Sequence, residues 1–562
     1  MTGNLKFIIA VIVIIALIIV VNVNATRNAK ERLIRKLVKN YGKRANKKIS
    51  ADELEQITHY YTNRKEKNII DDITWNDLDM DRIYKAINNT NSSVGQEYLY
   101  KLLREPCKDE SFLKKLDKLA NSFDEDKDNR LSVQKIFAFI GYAKHMAVSD
   151  YVEMIVELTP KSNVVNYISS IFLIIALVIL LGINASIGIL VLIVAMSFSI
   201  ISYYRFKADV ECYFVCINQI VKMIKAAKDI TELKLDYLDD INDKLDGLVH
   251  SFSKVYKNAG MLEGGNVTGS LSEILLEYLR MLTHVDLIKF NNMVKLLNHK
   301  GNEIFDLIDL LGFIESSIAI ASFRRSLPYF SIPDFNEEYK GIELEDAYHP
   351  LIDNAIPNSI AEQGNILLTG SNASGKSTFL KTIAINAILS QTIYTSPSKY
   401  YRAPRYNIFS SMALRDDLEG NNSYYIVEIK SIKRIFDAIK ESDRPVLIFI
   451  DEVLKGTNTV ERVAASSEIL RSLGNKNTCV FAATHDVELT SILEKDYTNY
   501  HFQEKVTENE VIFDYKIQNG PATTRNAIKL LSVLGFDDEI IEKSNKRAGF
   551  FLENGTWESW NL

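Results

Sequence analysis

Nine residues constrain this chain more than any others: Gly370-Ser371-Asn372-Ala373-Ser374-Gly375-Lys376-Ser377-Thr378, directly after the apolar run Asn365-Ile-Leu-Leu-Thr369. The spacing G-x-x-x-x-G-K-[ST] predicts a buried strand, a tight loop and a helix in that order. The glycines let successive N–H groups turn toward phosphate oxygens, and the helix that follows adds its positive end. Lys376 is placed to reach the β- and γ-phosphates of a nucleotide, and the Ser377 hydroxyl to ligate Mg²⁺.

Two later stretches have the same character. Val446-Leu-Ile-Phe-Ile450 is a short apolar strand that ends in Asp451-Glu452. An acid at that point can hold the magnesium shell, and its neighbour can polarise an attacking water. Cys479-Val-Phe-Ala-Ala-Thr484-His485 is a third apolar strand, and its terminal histidine is a candidate sensor of the γ-phosphate. A lone histidine after a strand is more often structural; the order and spacing favour the catalytic reading here.

Thr369–Thr378, Asp451-Glu-Val-Leu-Lys-Gly-Thr-Asn-Thr459 and Ala483-Thr-His-Asp-Val-Glu-Leu-Thr490 together resemble the ATPase domain of the MutS mismatch-repair proteins. Ser411-Met-Ala-Leu-Arg-Asp416-Asp417, followed by Asn422-Ser423-Tyr-Tyr-Ile-Val-Glu428, is similar to that family's motif for reaching across a dimer. Tyr348-His349-Pro350, with Ile356-Pro357-Asn358, is similar to its approach to the nucleotide. The resemblance implies an ATP hydrolase using ATP and Mg²⁺. Glu452, His485 and Lys376 would be catalytic, and Ser377 and Asp451 would hold the metal. Gly370 to Thr378, Ile356, Asn358 and Ser423 would contact the nucleotide, Ser423 from the partner of a homodimer. The chain departs from the family at Ser371 (usually proline), Ala373 (usually methionine) and Leu454-Lys455 (usually Gly-Arg).

The rest of the chain predicts a membrane protein. Phe7 to Val21 is unbroken apolar sequence, close to what the ~30 Å hydrocarbon core requires. A cleaved secretory signal is the alternative. From Arg27 to Lys48 there are ten Lys or Arg and one acid, Glu31, which favours an anchor with this flank in the cytoplasm. This basic flank also suits anionic headgroups, or simply a solvated helix. Between Lys161 and Arg205, 43 residues carry no charge, and turn residues Gly182-Ile-Asn-Ala-Ser186 lie near the middle. A helical hairpin, Val164–Leu181 and Ile187–Tyr204, is expected to cross the membrane; a buried helix pair is the alternative. The expected topology has three spans, the N-terminus outside and the ATPase domain cytoplasmic.

The expected fold is therefore an α/β P-loop NTPase domain of MutS/ABC type at 336–546, behind an all-α core and lever region that a transmembrane hairpin interrupts. The expected divisions are a spanning helix at 5–23, a basic segment at 24–50, a helical core at 51–160, the hairpin at 164–204, a helical lever at 205–335 and a tail at 547–562. Helical spacing covers Tyr213–Ala227, Leu233–Lys257 and Leu271–Leu297, with a glycine-rich loop from Asn258 to Gly269. Of the four cysteines, Cys212 and Cys216 lie one helical turn apart but with no third or fourth ligand beside them, and they read as buried thiols of a reducing compartment rather than metal ligands.

About 50 residues separate the first apolar run from the helical core, too few for the family's mismatch-recognition and connector domains. The net charge of −6 also weighs against broad, non-specific affinity for DNA. The expected partners are a second copy, the lipid membrane and, by inheritance, DNA. A membrane scaffold and a transporter-type ATPase are the alternatives. No Leu-Ser-Gly-Gly-Gln signature and no charge within the spans support the transporter.

Overall fold

The computed structural model describes residues 21, 24–25, 27–65, 69–107, 109–143, 146–259, 271–371, 374–412, 424–454, 457–474, 476–506, 511–522, 528, 531 and 535–558. The expected span at 5–23 lies outside them, Val21 excepted, as does most of the glycine-rich loop. The chain forms two compact units. One takes Met1–Lys65, Lys85–Leu102 and Lys115–Ser326; the other takes Glu66–Tyr84, Leu103–Lys114 and Leu327–Leu562.

The first unit is helical. Its long helix Gly301–Ser326 is buried along most of its length. Buried Glu315 on that helix accepts from the Asn91 amide and the Ser92 hydroxyl. Arg324, also buried, donates to Asp117 Oδ1 at 2.6 Å. The uncharged block forms two helices, Val164–Gly182 and Ala185–Glu232, each long and apolar enough to cross a membrane. Asn184 Oδ1 caps the second by accepting from the Ser186 and Ile187 amides at 3.0 and 3.1 Å. Gly188 lets the two backbones touch, since a Cβ there would sit 2.2 Å from Leu180 Cα.

Three expectations change in this unit, and one is the helix over Leu233–Lys257, which is broken by Lys234 at φ 49° and forms as a short turn at Asp236–Leu238 and two helices, Asp239–Ser251 and Ser253–Ala259. The second hairpin helix does not stop at Tyr204 but runs on for 48 residues to Glu232, because nothing from Arg205 onward in it is glycine or proline. Hairpin and lever are thus one rod at this point. The helix expected over Leu271–Leu297 is two, Leu271–Thr283 and Val285–Leu297, broken at His284 with φ 56°. Tertiary contacts override the helical spacing. The buried His284 ring nitrogens lie 3.0 Å from Asn166 Oδ1 and 3.0 Å from the Ser199 carbonyl oxygen.

Among the described residues the second unit holds ten strands: β1 (Asp334–Phe335), β2 (Ile342–Ala347), β3 (Asn358–Glu362), β4 (Asn365–Thr369), β5 (Tyr400–Ala403), β6 (Asn407–Ser411), β7 (Val446–Asp451), β8 (Thr478–Ala483), β9 (Tyr497–Val506) and β10 (Val511–Asn519). They form a four-stranded sheet, β1-β5-β2-β3, and a six-stranded sheet, β10-β9-β4-β8-β7-β6. In the larger sheet β9, β4, β8, β7 and β6 are parallel and β10 is antiparallel. All five residues of β4 are buried, which is why it reads as continuous apolar sequence rather than alternation. The helix Lys376–Ile393 is likewise buried on nearly every face.

The helical region expected at 51–160 is divided between the units, since Glu66–Tyr84 and Leu103–Lys114 belong with the sheets. Their polar groups explain the placement. Asp77, buried on helix Asp72–Asp77, accepts from the Ser410 hydroxyl at 2.6 Å and the Met412 amide at 2.9 Å. Thr74 Oγ1 accepts from the Ser410 amide at 3.1 Å. These contacts finish the edge strand β6, whose last groups would otherwise lack partners. The helix Asp538–Asn554 crosses the expected boundary of the tail, where Trp557 stacks on Phe551 at 4.4 Å.

Candidate active site

Sheet order brings the three motifs together. β8 lies between β4 and β7, and its last residue, Ala483, pairs with Leu368 on one side and Asp451 on the other. The phosphate loop, Asp451-Glu452 and Thr484-His485 therefore leave three neighbouring parallel strands at one level, where a doubly wound sheet places its ligand.

The loop leaves β4 through Gly370 at φ 142° and enters the helix through Gly375 at φ 111°. A Cβ on Gly370 would lie 2.6 Å from the Phe502 carbonyl oxygen, so only glycine fits. The Lys376 ammonium is drawn back over the loop and donates to the Gly370 and Ser371 carbonyls at 2.8 and 2.9 Å. His485 Nε2 sits 2.9 Å from Glu452 Oε1 and 3.4 Å from Lys376 Nζ. The shorter contact identifies Nε2–H as donor to the Glu452 carboxylate. Lysine, histidine and glutamate thus form one line across the mouth of the loop. Ser374 is buried, whereas Ser377 and Thr378 are exposed at the helix start and Asp451 is half-buried. Asn372, Ala373 and Ser423 lie outside the described residues.

Two departures from the family pattern have local explanations. Ser371 donates to Glu504 Oε2 at 2.8 Å, tying the loop to β9. Leu454 takes φ 60°, two residues after Glu452 at φ 62°. A left-handed backbone costs leucine roughly 1–2 kcal/mol that glycine does not incur. Leu454 offsets this by burying its side chain in the cluster with Ile432, Val453 and Leu470, and by donating its amide to buried Glu428. Glu428 lies on helix Tyr424–Glu441 and is the last residue of the stretch that resembles the family's dimer-reaching motif. On the other side, Arg462 grips Asp486 through two bonds of 2.9 and 2.6 Å, which raise its already high pKa and hold the loop after His485.

Beside the loop opens a cavity of about 550 Å³, lined by His349, Ile352, Ile356, Asn358, Thr378, Phe502, Phe513 and Tyr515 among others. The size and the aromatic walls suit a planar base. Ile356 is exposed there as a wall. Asn358 is spent on structure, donating to the Tyr515 carbonyl at 2.9 Å and accepting from the Ile517 amide at 2.9 Å. It shapes the cavity by pinning the irregular stretch of β10 between Phe513 and Ile517. Sequence reasoning missed Phe502, Phe513 and Tyr515. The alternation Phe513-Asp-Tyr515 was a usable signal, because residues two apart share a strand face.

Residues 366–550 match MutS domain V. This part of the chain is similar to domain V of the MutS family. The DNA mismatch repair protein MutS of Pseudothermotoga lettingae is 30% identical over 264 residues, 44% of this chain and 32% of the relative. Its counterpart from Petrotoga mobilis is 28% identical over 280 residues, 48% of this chain and 32% of the relative. That of Thermus thermophilus is 27% identical over 220 residues, 38% of this chain and 26% of the relative. The chain thus spans about a third or less of these MutS proteins, and the likeness lies in the half that carries the three strand ends.

Proposed function

We propose that the chain is a membrane-anchored MutS-type ATPase that binds ATP with Mg²⁺ and hydrolyses it as a homodimer. The convergence of Lys376, His485 and Glu452 at the ends of adjacent strands is the observation that carries this reading. The residues suit the ligand. Ser377 and Asp451 offer hard oxygen donors of the kind magnesium takes, and the two positive-φ glycines bring loop amides toward phosphate. Bound magnesium would neutralise charge developing on the transferred phosphoryl group.

Lys376 exchanges its two loop carbonyls for phosphate oxygens, giving the same ammonium a stronger, charged partner. Glu452 accepts the proton of a positioned water, and His485, already donating to that carboxylate, holds its orientation. Phe502, Phe513 and Tyr515 enclose the base. Ser423 of a second copy completes the γ-phosphate contacts, so turnover rises with protein concentration.

The membrane part rests on the apolar surface of the hairpin, where Leu181, Ile183 and Leu190 are 84%, 75% and 66% exposed. A buried core pair would hide such residues. On this reading the ATPase unit is cytoplasmic, and nucleotide-driven pairing of two copies acts on the helical unit that carries the hairpin. Carbonate extraction of the full chain from membranes tests the anchor; release with the soluble fraction would refute it. DNA binding is carried over from relatives named for mismatch repair. Filter binding at low and physiological salt tests it, and retention of neither duplex nor junction DNA would remove it.

A further inference from the structure

The helix Leu271–Thr283 carries an arrangement that the ATPase reading leaves unused. It packs within the helical unit against both hairpin helices. Its last carbonyls are orphans, as at any helix C-terminus, and the chain turns sharply away at His284. The hairpin itself supplies their partners. Ser170 donates to the Thr283 carbonyl at 2.5 Å, and Ser199 contacts the Leu282 and Met281 carbonyls at 2.7 and 3.3 Å. Ser199 is fully buried, and Ser170 is half-buried.

Hydroxyls aimed at helix-end carbonyls are the provision needed where water is scarce, because an unsatisfied carbonyl in hydrocarbon costs several kcal/mol. Depth follows from helix rise. Ser170 lies six residues inside the span that begins at Val164, and Ser199 five residues inside the span that ends at Tyr204. At ~1.5 Å per residue they are roughly 7.5–9 Å below the span ends. Amphipathic helices that lie in a membrane surface bury their apolar face by about 5–10 Å. The exposed side chains fit that setting: Tyr278 and Leu279 are 58% and 56% exposed, beside the charged Glu277 and Arg280. They sit on a helix packed against both hairpin helices, whose own exposed side chains are apolar.

We propose that Leu271–Thr283 is an interfacial helix, lying in the cytoplasmic headgroup layer against the hairpin and fastened there by Ser170 and Ser199. Its occupant is the lipid bilayer. The inference rests on the membrane reading of the hairpin, and its test separates the two.

The full chain, with its four native cysteines replaced by serine, is given single cysteines by Tyr278→Cys, Leu279→Cys, Val178→Cys in the hairpin or Val460→Cys in the ATPase unit. Each carries a polarity-sensitive fluorophore and is reconstituted in vesicles of phosphatidylcholine and phosphatidylglycerol, with quenchers attached near the headgroup or near the tail end. Labels at 278 and 279 should be quenched by the headgroup-side lipid at least about twofold more than the label at 460, and the label at 178, roughly 4.5 Å inside the opposite end of its span, should likewise be quenched by the quencher lipids well above 460. Quenching at 278 and 279 no greater than at 460, with 178 quenched, overturns the interfacial helix and leaves the hairpin intact. Loss of quenching at 178 sinks both. Ser170→Ala with Ser199→Ala should shift the label at 279 toward water while leaving 178 unchanged. No shift at 279 would refute the fastening.

Discussion

The ends of β4, β7 and β8 and the base of the hairpin both gather polar groups next to apolar sequence, yet they do so by opposite means. At the strand ends Lys376, Glu452 and His485 each come from within seven residues of the end of their own apolar run, and parallel pairing aligns the runs. At the hairpin base Asn166, Ser199 and His284 meet across as many as 118 residues of chain. The first arrangement is encoded locally and reads as motifs. The second exists only after packing, and in sequence it is a few polar letters in an apolar field.

The difference can be broken most forcefully at Lys376. Lys376→Ala should weaken ATP binding by on the order of 100-fold or more, with the thermal unfolding of the helical unit unchanged. Isothermal titration and a melt of the same sample check both. A collapse of the helical unit in that variant would mean the two regions are not independent. Asp77→Ala comes next. It strips partners from the Ser410 hydroxyl and the Met412 amide, and should cost about 2 kcal/mol in urea unfolding of the sheet unit. An effect below ~0.5 kcal/mol would show that Glu66–Tyr84 only leans on the sheet.

Tyr515→Ala should raise the ATP dissociation constant about three- to tenfold, by removing one aromatic wall of the cavity. Equal binding of ATP and inorganic triphosphate would instead show that the cavity takes no base. The smallest effect concerns Glu97 in the helical unit. Burial pushes its carboxyl up to about 8, with the Val148 amide as donor to it at 2.8 Å. The folded state therefore holds this proton between the ordinary carboxylate range and pH 8, where the unfolded chain has lost it. Stability falls as pH rises through that window. Glu97→Gln keeps an acceptor and removes the titration, so it should match the parent below pH 4.5 and melt a few degrees higher at pH 8. A constant offset across that range would refute the burial explanation.

Legibility followed the same division. The loop from Gly370 to Thr378, Asp451-Glu452 and His485 could be placed because strand-end geometry depends on neighbours in sequence. The cavity walls on β9 and β10 were missed because Phe502 and Tyr515 gain meaning only when an antiparallel edge folds over the loop. The helical boundary at Arg205 was misplaced because charge ends a membrane span without ending a helix. Asp77 and Thr74 looked like ordinary helix-start residues, and only the sheet shows that they complete β6.

Phosphate release by the full-length chain, with and without Mg²⁺ and over a range of protein concentrations, tests the central claim most directly. The account predicts magnesium-dependent hydrolysis whose specific rate rises with concentration, and a Glu452→Gln variant that binds ATP normally but turns over about 100-fold more slowly. Hydrolysis that proceeds equally well in Glu452→Gln, or no nucleotide binding by the parent chain, would contradict it.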